Sequence, residues 1–147
     1  MLVGDQVFIV DGATNYSPSA LTYSFKKDSW TQMNSMKTAR TYPTYWNIND
    51  KLVVMGGGDG FNYFSSTEVL NLSTMNWSSG QELPYTMAYG NAVQYEGDLY
   101  LIVRGGLGDG AVLKWNLLDD SWTEFAKTES TGFRVVSPAP VFNQTIE

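Results

Sequence analysis

The sequence predicts an all-β chain made of about three copies of one four-stranded antiparallel unit, and three observations predict it. Trp30, Trp77 and Trp122 stand 47 and 45 residues apart, each followed by Ser or Thr. Each is preceded by one alternation: Tyr23, Leu70 and Trp115 seven residues earlier, Phe25, Leu72 and Leu117 five earlier, with polar Ser24, Asn71 and Asn116 between. A period of two is that of a strand with one apolar face. Upstream of each Trp, an apolar run closes on glycine: 7–11 before Gly12, 52–55 before Gly56-Gly57, and 99–104 before Gly105-Gly106. A long repeat period of this kind marks an architecture in which every copy is one supersecondary unit.

Within a copy, the first strand ends at a tight turn, for which Gly4-Asp5, Asn49-Asp50 and Gly97-Asp98 supply residues that tolerate a positive φ. The second strand is the run before the glycines. It is apolar on both faces, which places it in the middle of a layered stack. The third strand is the alternating segment. Turns at 27–29, 74–76 and 119–121 lead into the fourth, which carries the Trp. The third copy has two extra residues in its apolar run, which predicts a bulge. The chain reads as a single domain with copies at approximately 1–46, 47–93 and 94–142, and with 143–147 opening a further hairpin.

The composition narrows the function. With 147 residues, 43% of them hydrophobic, the chain has material for one core, and no apolar run approaches the roughly 20 residues of a membrane span. Its start lacks the basic region and apolar stretch of a signal peptide. A net charge of −6 with nine scattered basic residues disfavours nucleic acid, because phosphate neutralisation needs clustered Lys and Arg. Without cysteine there is no disulfide or thiolate chemistry, which fits the cytosol and is also compatible with an extracellular protein. Without histidine the commonest general base and metal ligand is missing. The glycine-rich stretches 56–60 and 105–110 lack the Lys-Ser/Thr and following helix of a phosphate loop, and read as turns. Asp11, Asp59 and Asp109 each precede glycine, which is turn chemistry rather than a calcium ring. No catalytic residue, cofactor or metal site is expected.

The combination of an apolar strand, Gly-Gly, a loop, an alternating strand and then Trp 16 to 20 residues after the glycines resembles the kelch repeat. The first copy departs from it, with Asp11-Gly12 in place of the glycine pair. The resemblance implies that each copy is one blade of a β-propeller and that three blades are half of a six-bladed ring. Self-association or further blades would then be needed to close it. Galactose-oxidase-like enzymes share this fold, but their copper centre uses histidine and cysteine, so that activity does not transfer to this chain. Kelch propellers of ubiquitin-ligase adaptors bind partners with Arg and Ser/Thr before the innermost strand and an aromatic after the glycines. Arg40-Thr41 matches the first pattern, whereas the positions after the glycines are Ala13, Gly58 and Leu107, with Phe61, Tyr63 and Tyr16 a few residues further on.

The resemblance therefore implies a partner-binding face formed by Arg40, Thr41, Asp59, Phe61, Asn62, Tyr63 and Arg134. Its mixture of Arg and aromatic side chains suits an acidic peptide. Arg40 and Arg134 read equally well as structural arginines between blades. The function expected is a non-catalytic protein-binding module of the substrate-adaptor type. Two alternatives stand beside it: a fragment of an extracellular or carbohydrate-related kelch protein, and a structural segment of a larger multidomain protein. Asn15, Asn71, Asn76 and Asn143 open Asn-x-Ser/Thr sequons, the signature of a glycosylation acceptor.

Overall fold

Each Trp-bearing copy folds as its own four-stranded antiparallel sheet in a computed structural model that describes residues 2–11, 19–116, 118 and 120–128. The first sheet runs β1 (Leu2–Val3), β2 (Gln6–Asp11), β3 (Ser19–Ser24), β4 (Ser29–Gln32). The second is β5 (Thr44–Ile48), β6 (Lys51–Met55), β7 (Thr67–Asn71), β8 (Asn76–Ser79). The third is β9 (Asn91–Tyr95), β10 (Asp98–Ile102), β11 (Ala111–Asn116), β12 (Ser121–Lys127), with a single 3-10 turn at Gly106–Gly108. In every sheet the strands lie side by side in chain order.

The register explains the seven-residue spacing. Trp30 pairs with Tyr23, Trp77 with Leu70 and Trp122 with Trp115 across the last hairpin of each sheet. The spacing of five has a different origin from the one the alternation suggests. β3 ends at Ser24 and β7 at Asn71, so Phe25 and Leu72 sit in the turns beyond. Two further expectations are corrected. Asp98 pairs with Tyr95, so the third tight turn is Glu96-Gly97, where φ is 51° and 90°, rather than Gly97-Asp98. The two extra residues of the third copy do not bulge β10, which pairs through Ile102 with no shift. They are Val103 and Arg104, which prolong the chain past the strand, Val103 N donating to Ala111 O at 2.8 Å. The irregularity in this sheet lies between Val112 and Leu113, where β11 meets β12.

Two apolar layers separate the sheets. Phe8, Val10, Ala20, Met33, Leu52, Val54 and Leu70 fill the first, and Met55, Met87, Leu101, Val103 and Leu113 the second. β6 contributes to both: Leu52 and Val54 point one way, Val53 and Met55 the other. Each such aliphatic side chain contributes about 1.5–3 kcal/mol by leaving water. The outer flanks are uncovered by any described residue. On the first sheet Trp30 is 58% exposed beside Ile9 and Leu21, whereas Trp77, one sheet further on, packs on the first layer and donates its indole N–H to Asn34 O at 2.7 Å. On the far flank of the third sheet Phe125 lies edge-on to Tyr100. Among the described residues no helix is long and apolar enough to cross a membrane.

Candidate functional site

The linkers 33–43 and 80–90 carry the chain from the last strand of one sheet to the first strand of the next. They cross the end of the molecule where the β6–β7 and β10–β11 loops emerge. Thr41 and Gly58 exchange backbone hydrogen bonds of 2.8 and 3.0 Å, Gly57 N donates to Met87 O at 2.8 Å, and Ala88 N donates to Arg104 O at 2.9 Å. Tyr89 N reaches Tyr42 O at 3.0 Å. This close approach requires glycine: at Gly57, with φ 84°, a Cβ would lie 2.7 Å from Thr41 O.

Tyr42 and Tyr89 occupy the same place in successive linkers, 47 residues apart, and both hold a left-handed backbone with φ of 53° and 59°. Such a conformation is uncommon for a bulky residue and costs energy that neighbouring contacts must offset. Their rings stack at 4.4 Å and 28°, and Tyr63 stands edge-on to Tyr89 at 6.5 Å. All three are exposed, as is Phe61 at 90%. Partial desolvation, followed by the neighbouring phenols of Tyr42 and Tyr63, pushes the Tyr89 phenol above its ordinary range. Asp59 Oδ1 accepts Asn62 N at 2.7 Å and Phe61 N at 2.9 Å; these bonds hold its carboxyl below the usual range and fix the loop that presents Phe61 and Tyr63. Arg104 is half-buried, and its guanidinium makes no hydrogen bond or ion pair with a described residue. Its neighbour Gly105 is close enough that a Cβ there would lie 3.2 Å from Tyr63 Cε2.

The residues singled out from sequence fall in three places. Asp59, Phe61, Asn62 and Tyr63 come together in the β6–β7 loop, and Thr41 pairs with its base. Arg40 is elsewhere: it is 1% exposed, and its guanidinium donates to Gly56 O at 2.7 Å, Ser66 O at 2.9 Å and Glu68 Oε1 at 2.9 Å. The buried Glu68 carboxylate draws it inward, so Arg40 takes the structural role between blades and leaves the exposed face. Arg134 lies outside the described residues, as do Asn15 and Asn143. Asn71 caps its own turn through Ser73 N and Thr74 N, and Asn76 accepts from Asn34. Sequence reasoning missed Tyr42, Tyr89 and Arg104. The tyrosines carried a usable signal, since they repeat at the 47-residue spacing of Trp30 and Trp77. Among the described residues no cluster of three or more His, Cys, Asp or Glu could hold a metal.

No protein-family model matches the chain. An F-box/kelch-repeat protein of Arabidopsis thaliana is 26% identical over 106 residues, covering 68% of this chain and 36% of the relative. The F-box protein AFR of the same plant is 31% identical, covering 60% and 24%. A kelch repeat and BTB domain-containing protein of Caenorhabditis elegans is 30% identical, covering 59% and 16%. Among solved structures, YjhT superposes with a TM-score of 0.74 at 16% identity over 87% of this chain and 50% of its own, which is a likeness of fold. The chain thus spans about a third or less of these curated relatives and half of that structure. With three four-stranded sheets in sequence order and these relatives, the fold is that of a β-propeller segment. Its repeats and fold are similar to those of kelch-repeat proteins.

Proposed function

We propose that this chain is a non-catalytic protein-binding module that captures its partner on the loop face around Tyr42 and Tyr89. The carrying observation is the exposed ring stack of these residues at 4.4 Å, with Tyr63 edge-on and Phe61 in the adjoining loop. Rigid aromatic side chains on a surface supply the contact area that dominates binding energy at protein interfaces. Arg104, whose backbone O accepts from Ala88 N next to Tyr89, adds a guanidinium to this end of the molecule, so a peptide presenting a carboxylate next to an apolar anchor fits this chemistry. The F-box/kelch and kelch/BTB names of the relatives support a role as the capturing part of an adaptor. The exposed flanks at Trp30 and Phe125 are where further blades, or a second copy, would pack.

The test is a quantitative affinity purification comparing wild type with Tyr42→Ala, Tyr89→Ala and Arg104→Ala. Partners specific to wild type should fall at least about tenfold in each variant while the melting temperature stays within a few degrees, the signature of interface residues. Partners retained at unchanged abundance in all three would place binding elsewhere.

A further inference from the structure

The two spaces between sheets are built alike, yet the second holds an open groove where core side chains fill the first. A cavity of about 410 Å³ lies between the second and third sheets, running along the strands from Met55, Thr67 and Gly80 to Asn49 and Lys51, and a smaller one of about 180 Å³ adjoins it at Asn49, Leu99 and Trp115. The sequence explains the difference residue by residue. In the first space Met33 and Met75 pack on the core. Their counterparts by repeat spacing, 47 and 45 residues on, are Gly80 and Asp120, and both line the cavity. The backbone is the same in the two cases: Met33 N donates to Ala20 O at 2.9 Å and Gly80 N to Thr67 O at 3.0 Å. Only the filling side chains are gone. Thr67 in place of Ala20 enforces the glycine, because a Cβ at Gly80 would lie 2.4 Å from Thr67 Oγ1.

The same exchange changes how the Trp is held. Trp77 donates its indole N–H to Asn34 O. The counterpart carbonyl, that of Gln81, is taken by Thr67 Oγ1 at 2.7 Å, and the indole N–H of Trp122 makes no hydrogen bond with a described residue. Trp115 replaces Leu70 beside it, the two indoles meeting at 4.8 Å, so the groove gains an aromatic wall in place of an aliphatic one. Opposite stand uncharged polar side chains, among them Asn49, Asn71 and Ser78, with Lys51 and Asp120 as one charge of each sign.

We propose that this groove is a binding site for a neutral saccharide of one or two rings. Its volume falls within the range of about 300–1,000 Å³ typical of small-molecule sites. The flat C–H faces of a sugar ring pack on indole faces, while its hydroxyls, each both donor and acceptor, match amide, hydroxyl, carboxylate and indole N–H groups. The lining has no net charge to attract an ion. The site is distinct from the tyrosine face and does not depend on what binds there.

The experiment is a titration of the chain with lactose, cellobiose and chitobiose, followed by tryptophan fluorescence and by saturation-transfer NMR. At least one should give saturable quenching and transfer to ring protons. Gly80→Met combined with Thr67→Ala rebuilds the filled first space, and Asp120→Asn leaves the shape intact while removing the carboxylate. The first should abolish binding with thermal stability retained, and the second should weaken it at least tenfold. No saturable response to any of the three sugars overturns the proposal. So does binding that survives both variants, or preferential saturation by a lysine- or arginine-bearing peptide.

Discussion

Arg40 and Glu68 form an ion pair of 2.9 Å with side chains 0% and 4% exposed, at a place where the next inter-sheet space holds Met87 and Leu113. The correspondence follows from the repeat: Arg40 and Met87 stand 47 residues apart in successive linkers. Glu68 pairs with Val54 across its sheet as Leu113 pairs with Leu101 across the following one. One fold thus solves the same packing problem once with charge and once with hydrocarbon. The ionic version ties down more of the linker, since Glu68 also accepts Lys37 N at 2.7 Å and Thr38 N at 3.0 Å. In the apolar version the position of Lys37 is taken by Pro84, which has no N–H to satisfy.

Replacing Arg40 alone by Met leaves a buried carboxylate without its cation, so Arg40→Met should destabilise the chain by about 3–5 kcal/mol. Adding Glu68→Leu, which copies the next space, should recover much of that loss, leaving the penalty of the Lys37 and Thr38 amides. Urea unfolding of the two variants checks the order. A double variant less stable than Arg40→Met would show that the pair does more than fill this space.

The three repeat tryptophans should differ in worth although they share one register. Trp77→Ala removes a packed ring and the bond to Asn34 O, and should cost about 3 kcal/mol. Trp30→Ala, on the uncovered flank, should cost less than about 1 kcal/mol. Chemical denaturation of both variants in parallel measures the difference.

Much of this architecture was legible because side-chain period and repeat spacing are local properties. The Trp spacing gave the three sheets, and the double-faced apolar run at 52–55 gave the central strand. What escaped was whatever depends on a partner distant in sequence. Arg40 read equally well as a partner-binding and as a structural arginine, because the carboxylate that decides between them is 28 residues away on another strand. The loop aromatics Phe61 and Tyr63 were found by proximity to the glycines, whereas Tyr42 and Tyr89 were passed over, their stacking made by linkers folding back over different sheets. The hairpin at Glu96-Gly97 was misplaced by one residue because Gly97-Asp98 is as good a turn by composition.

The flank bearing Ile9, Leu21 and Trp30 should make the isolated chain associate, because exposed apolar sheet faces seek cover. Light scattering should report species larger than the monomer, and Trp30→Lys with Leu21→Lys should reduce their size. A monodisperse wild-type monomer would show that these flanks are tolerated in water.

A protein partner seated on the face around Tyr42 and Tyr89 would be seen by hydrogen–deuterium exchange of the chain with a captured partner. New protection is expected in the segments around Thr41–Tyr42, Gly58–Tyr63, Ala88–Tyr89 and Arg104–Gly105, with the Trp30 flank unchanged. Protection confined to the outer flanks, with these four segments exchanging as in the free chain, would contradict it.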